Sequence, residues 1–293
     1  MQKRPGTLKR KSEVLLRNIV VTAMVIYFTV FLIIPIIIAF AGSFHNWNPL
    51  SGTYDFLGLK NYVNVFTSGL FWTSMFNTVI FSVVVIIFRV GLGLSIACAL
   101  NSALVKYKSF FRAVYYMPVV TPMVAVAFVW KFMYNPQIGT INNILGLDIN
   151  WLMNPKTALI AVMIMTIWKD FGFGSILYFS TLSSIDPALY EAARIDGANH
   201  MQQIWHITLP GLVNVIAIKL IMSVGAILSS NTDMILLLYT PSTYKTADVI
   251  GTYVYRLGVQ GGKFSYTTAV NLFMALIGFL LTLMANKFSN KLT

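Results

Sequence analysis

Few residues in this chain are suited to metal binding or acid–base chemistry: three histidines, one cysteine and nine acidic residues among 293. His45 stands far from the other two, and His200 and His206 are six apart, so a helix would not bring them to one face for a metal ion. Cys98 sits in an apolar run and excludes an intrachain disulfide or a multi-cysteine metal site. Gly258-Val-Gln-Gly-Gly-Lys263 has the wrong glycine spacing for a phosphate loop, and Phe264 stands where a serine or threonine would hold magnesium. Gly91-Leu-Gly93 lacks the third glycine of a dinucleotide fingerprint. No catalytic constellation emerges, so the chain is not expected to be an enzyme or to hydrolyse a nucleotide itself. Three polar clusters in apolar surroundings remain: Trp168-Lys169-Asp170-Phe171, Asn231-Thr232-Asp233, and the stretch from Asp186 to Pro210. Ionisable groups within apolar runs are costly, and they face a cavity or a partner. Aromatic faces beside carboxylates and amides suit sugars, whose rings stack and whose hydroxyls need directed hydrogen bonds. For Lys169 and Asp170, a mutual ion pair with a purely structural role is the alternative. Arg89 and Lys219 read as structural, either snorkelling or neutralising a partner across a helix bundle.

The elements that must carry these clusters are membrane spans. The chain is 57% hydrophobic and 10% charged, with mean hydropathy +0.73, whereas a soluble domain carries about 25% charged residues. The apolar runs are too long for an outer-membrane barrel, and the length suits about six helices of roughly 20 residues each. The spans are expected near 19–41, 72–100, 113–132, 157–182, 212–228 and 267–285. Ala39-Phe40-Ala41 imitates a signal-cleavage site, but the apolar run before it is too long for a signal, so the first helix is read as retained, with a kink at Pro35. Lys60 to Phe66 reads as a short interfacial helix. Pro118 and Pro122 make the third span irregular, which a membrane tolerates only where protein or water satisfies the freed carbonyls. The fifth span is broken at Ser229-Ser230-Asn231-Thr232-Asp233. The expected organisation is a basic tail over 1–18, a six-helix domain over 19–285 and a short tail over 286–293.

Six spans place both termini, the 101–112 loop and the 183–210 stretch on one side. That side holds twelve Lys and Arg against six on the other, which assigns it to the cytoplasm. The net charge of +12 therefore reflects membrane orientation rather than nucleic-acid binding. Trp47, Trp72, Trp130 and Trp151 are expected at the interfaces, in contact with lipid headgroups.

In the 183–210 stretch, Asp186 can cap a helix opened by Pro187, and Gly197 permits a sharp turn. His200 to His206 reads as a second short helix, and Pro210 as the start of a new one. Glu191-Ala192-Ala193, Gly197 and Ile207-Thr-Leu209-Pro210 stand in the spacing of the EAA loop of binding-protein-dependent ABC importers. Phe56-Leu-Gly-Leu-Lys-Asn-Tyr62, Asn77-Thr78 and Tyr115-Tyr-Met-Pro118 extend the likeness, and the chain resembles permeases of the maltose type over nearly its whole length. Ile204-Trp-His-Ile-Thr-Leu-Pro210 and Gly262-Lys-Phe-Ser-Tyr-Thr-Thr-Ala269 resemble a subgroup that handles oligosaccharides from complex polysaccharides.

The resemblance implies an all-α integral membrane protein with the type I importer permease fold and a cytoplasmic coupling helix. It implies that Glu191, Ala192, Ala193, Arg194, Asp196, Gly197, Ile207, Leu209 and Pro210 form the element seated on a separate ATPase dimer. ATP and magnesium then belong to that partner, and this chain binds no cofactor. A second EAA-loop permease, giving a heterodimer, and an extracellular solute-binding protein complete the implied assembly. Trp168, Lys169, Asp170, Phe171, Asn231, Thr232 and Asp233 fall in the regions that form the sugar site in maltose-type permeases. A non-sugar cargo and an ion-coupled transporter using Asp170 and Asp233 are the alternatives within transport; a membrane-embedded enzyme is the alternative outside it.

Overall fold

The computed structural model describes residues 6–48, 51–101, 106–225, 227 and 232–289. The chain is mainly helical and divides into two compact units, Met1–Val65 with Leu257–Leu272, and Phe66–Arg256 with Phe273–Thr293. Five of its described helical stretches are long and apolar enough to cross a membrane, and a bent helix pair makes a sixth.

In the first unit, α1 (Gly6–Phe28) and α2 (Ile34–Ser43) are joined by a π-helical turn, Thr29–Ile33. The turn is the local answer to Pro35. Ile34 donates its N–H to Thr29 O, five residues back, so the ladder changes register before the proline and the run continues as one span over Glu13–Ser43. The apolar window of this span buries none of its residues within the chain. A helix that is apolar all round belongs in lipid or against another membrane chain.

The connection after α2 contains a feature missed in the sequence, a hairpin of β1 (His45–Asn48) and β2 (Thr53–Phe56) paired His45↔Phe56 to Asn48↔Thr53. His45 stacks on Tyr54 with ring centroids 4.2 Å apart. The predicted interfacial helix follows as α3 (Lys60–Thr67). Asn61 and Tyr62 tie it back to the end of α2: Asn61 Nδ2 donates to Ser43 O and His45 O, and Tyr62 Oη lies 2.8 Å from Ser43 Oγ.

In the second unit, α4 (Gly69–Asn101) packs along α8 (Ala158–Leu182). Between them in sequence come α5 (Lys108–Val120), α6 (Met123–Met133) and α7 (Thr140–Leu145). After α8 come α9 (Pro187–Ile195), α10 (His200–Gln203), α11 (Leu209–Gly225), α12 (Thr232–Leu238), α13 (Tyr244–Ala247) and α14 (Ile250–Val254). The long α15 (Phe264–Ser289) ends the described chain. Phe81, Trp130, Met165 and Ile235, from α4, α6, α8 and α12, meet in the core. Asn77 and Thr78 anchor the loop before α14. Asn77 Nδ2 donates to Thr246 O and Asp248 O, and Thr78 Oγ1 accepts from Ile250 N–H. Burial pushes the Asp248 carboxyl above its usual value, against the pull of hydrogen bonds from Arg256 and Thr252.

The third predicted span needs correcting. It is not one irregular helix but two, α5 and α6, meeting at 96°. Thr121, the residue before Pro122, is extended (φ −72°, ψ 132°), because a following proline disfavours the helical region, and Pro122 itself has no N–H to continue the ladder. α5 lies very close to α8: a Cβ on Gly172 would run into the carbonyl of Tyr115. Gly172→Ala is therefore expected to destabilise the protein by about 1–3 kcal/mol. Gly174→Ala, whose Cβ would meet Arg89 O at an ordinary 3.6 Å, should be tolerated. Thermal denaturation of the purified proteins distinguishes them, and equal midpoints would contradict the close approach.

Candidate functional site

The stretch from Asp186 to Pro210 folds as two helices around a tight turn. Asp186 Oδ1 accepts the N–H of Ala188 at 2.9 Å and Pro187 opens α9, satisfying one of the donors that a first turn leaves free. At the far end Gly197 takes φ +77°, a left-handed conformation that glycine adopts without a Cβ penalty. Ala198 then donates to Ala193 O at 2.8 Å and Gly197 to Arg194 O at 3.1 Å, the paired closure of a helix end on glycine.

Asn199 starts α10 with a reciprocal cap that the sequence reading overlooked. Its side chain accepts from Gln202 N–H, and Gln202 Oε1 accepts from Asn199 N–H. The signal was present as Asn-x-x-Gln, a variant of the capping box. The sequence expectation of a fresh helix at Pro210 is also corrected. α10 passes through a π-turn, Ile204–Thr208, directly into α11. Leu209 donates to Ile204 O, five residues back, so the ladder has already changed register where Pro210 brings no N–H. Tyr190 Oη lies 3.0 Å from Thr208 Oγ1 and ties α9 to this turn.

Glu191, Ala192, Arg194, Asp196 and Gly197 are exposed, Ala193, Ile207 and Leu209 are half-buried, and Pro210 is exposed. The same stretch leaves large apolar side chains uncovered within the chain, with Ile195 87% and Trp205 63% exposed, together with Leu189 and Met201. Behind α9 a cavity of about 550 Å³ separates it from the ends of α4 and α8 and is lined by Cys98, Leu182, Tyr190, Glu191 and Arg194 among others. α9 thus presents a mixed charged and apolar surface while standing off the helices behind it.

The structural alternative raised for the second cluster, a mutual ion pair, is not met. Lys169 and Asp170 do not pair. Lys169 is buried, and its Nζ donates to the carbonyls of Pro118, Val119 and Thr121 at 3.1–3.2 Å. Asp170 pairs instead with Arg89 on α4. Neighbours on a helix point about 100° apart, so each reaches a different helix. Arg89 is the cross-bundle neutralising group expected from sequence, while Lys219 lies 5.7 Å from the centroid of the Phe173 ring.

Trp168 is exposed and meets Trp130 edge-on, and Phe171 is half-buried against Tyr115. Asp233 is exposed in the first turn of α12, Thr232 is half-buried beside Gly251, and Asn231 lies outside the described residues. α8 and α12 touch through Thr166 Oγ1 and Met234 Sδ, 3.3 Å apart. Among the described residues no group of three or more His, Cys, Asp or Glu is placed to hold a metal ion.

The family model described as binding-protein-dependent transport system inner membrane component matches residues 89–293. A probable ABC transporter permease of Bacillus subtilis strain 168, YurN, is 34% identical over 269 residues, covering 89% of this chain and 91% of the relative. The polygalacturonan/rhamnogalacturonan transport system permease YteP of the same strain is 31% identical over 276 residues, covering 91% and 85%. A crystal structure of a bacterial alginate ABC transporter, in complex with alginate pentasaccharide-bound periplasmic protein, contains a chain that superposes with TM-score 0.87. It is 32% identical, and 98% of each chain is covered. The chain belongs to the inner-membrane components of binding-protein-dependent transport systems, as a multi-pass permease subunit of an ABC importer with the type I fold.

Proposed function

We propose that this permease carries an oligosaccharide inward after delivery by an extracellular solute-binding protein, with a second permease as its partner in the membrane and an ATPase dimer at its cytoplasmic face. Both termini then lie in the cytoplasm, and the six-helix domain spans 19–285. ATP and magnesium are bound by the ATPase, and this chain contributes the mechanical contact. The observation that carries the reading is the surface of α9 and the turn after it. Ile195 stands bare between Arg194 and Asp196, with Glu191 one turn earlier, on an element built by a capped start, a glycine closure and a tyrosine tie. Exposed apolar groups rimmed by charge mark an interaction surface, and the charges on α9 suit a protein partner. A rigid element standing off the bundle can transmit a partner's motion into α8, which precedes it in the chain, and through α10 and the π-turn into α11.

An oligosaccharide cargo is supported by the relatives, which include a polygalacturonan/rhamnogalacturonan transport system permease and an alginate transporter in complex with an alginate pentasaccharide-bound periplasmic protein. Trp168 and Phe171 offer aromatic faces, and Asp233 and Thr232 offer polar groups. Asp170 and Lys169 serve the site by holding the helices that surround it. Exchanging Asp233 and Asn231 for alanine is expected to lower sugar uptake by roughly tenfold while the complex still assembles; uptake unaltered across a panel of oligosaccharides would remove both from the site. The reading as a whole is tested in proteoliposomes holding this chain with its neighbouring permease, ATPase and binding protein. Uptake should require ATP and every component. Uptake driven by an ion gradient without the ATPase would contradict it.

A further inference from the structure

The last four carbonyls of an α-helix have no partner within the helix. At the end of α5 those groups lie inside a membrane span, because the chain turns through 96° at Thr121–Pro122 and continues as α6. Lys169 supplies what is missing. Its ammonium donates to Pro118 O, Val119 O and Thr121 O, and its side chain is almost wholly enclosed. Among the described residues the ion pairs are Arg89–Asp170 and Arg256–Asp248, so no carboxylate pairs with this lysine. Its charge is balanced by the negative end of α5. A buried cation in a span is costly unless its donors are used, and here all three ammonium hydrogens have an acceptor.

We propose that Lys169 is a positioning residue for transport, which holds the α5–α6 bend from α8 and so makes that bend answer to the helix that leads into α9. The route is short and continuous. From Lys169, α8 runs to Leu182, and Asp186 caps the start of α9 four residues later. Gly172, one turn beyond Lys169, seats α8 against the Tyr115 carbonyl, so α8 grips α5 at two levels. On the other side of the bend, α6 packs against α12, whose first turn contains Asp233. A displacement of α9 therefore reaches the bend through α8, and the bend sets the position of α6 beside α12. The inference rests on the transport reading above but requires no particular cargo.

The test uses the complete importer in proteoliposomes and compares Lys169→Met, which keeps length without donors, with Lys169→Arg, which keeps donors. Lys169→Met is expected to retain assembly and ATP hydrolysis within about twofold while sugar taken up per ATP falls roughly tenfold. Lys169→Arg should restore most of that ratio. A residue needed only for packing would change yield and midpoint but leave sugar moved per ATP intact. Spin labels at Met117 and Val124, exposed on the two arms of the bend, in a Cys98→Ala background, should report a shifted or broadened distance in the Met variant. Normal uptake per ATP in Lys169→Met, or an unchanged label distance, overturns the proposal. Where the Met variant does not accumulate, the Arg variant decides. Accumulation with transport supports the donor role, and failure equal to that of the Met variant overturns it.

Discussion

Reversing the charge at Glu191 is expected to lower ATP-driven uptake by roughly tenfold or more while leaving the fold intact. Glu191 is exposed on α9, with Arg194 on the same short helix and Asp196 at its C-terminal cap, so lysine there meets no obstacle within the chain. Its effect would fall on whatever docks against that surface. Gly197→Val should act on the same step by another route. A Cβ at this position would meet no atom within 4 Å, so the penalty comes from the backbone. At φ +77° an ordinary side chain costs about 1–2 kcal/mol, and a β-branched one is a genuine outlier. The glycine closure would open and α10 would lose its angle to α9. Gly197→Asn, better suited to the left-handed region, should retain much more uptake than valine. Sugar uptake and ATP hydrolysis measured side by side separate these outcomes, and normal uptake in both Glu191→Lys and Gly197→Val would count strongly against a coupling role.

The second large effect concerns the pair that crosses from α4 to α8. Asp170→Asn leaves the Arg89 guanidinium without its counter-charge inside the bundle. Removing one partner of a buried pair costs about 3–5 kcal/mol. With the two side chains 28% and 24% exposed, a value near the lower end, about 3 kcal/mol, is expected. The double variant Arg89→Met with Asp170→Met should be more stable than either single variant, because two apolar side chains leave no stranded charge. Denaturation of the purified complex measures all of them. A cargo-contacting role for Asp170 has a different signature. Asp170→Asn would then raise the sugar concentration needed for half-maximal uptake and leave the denaturation midpoint unmoved.

How far these features were legible in the sequence varied with the range of the interaction. Asp186-Pro187 and Gly197 could be placed because capping and left-handed glycine are properties of a few adjacent residues. The spans could be placed because burial in lipid demands long apolar runs. The break at Pro118–Pro122 was visible as a shortage of backbone donors, but its bend angle was not, and neither was the lysine 48–51 residues downstream that satisfies it. A mutual Lys169–Asp170 pair was the alternative to a cargo role for these residues, yet adjacency on a helix sends them to different neighbours. Arg89 is 81 residues from Asp170, a separation that local pattern does not bridge. The hairpin at His45–Phe56 escaped because its strands have four residues each, too few to display an alternation.

We propose that ATP-driven work enters this chain through α9. It is tested most directly by placing a single cysteine at Ile195 in a Cys98→Ala background and cross-linking the assembled importer. Ile195 is 87% exposed, so the probe itself disturbs little. The expected result is an adduct between this chain and the ATP-binding subunit that forms with high yield and arrests sugar uptake. No adduct with that subunit, or an adduct with the solute-binding protein instead, would contradict the claim.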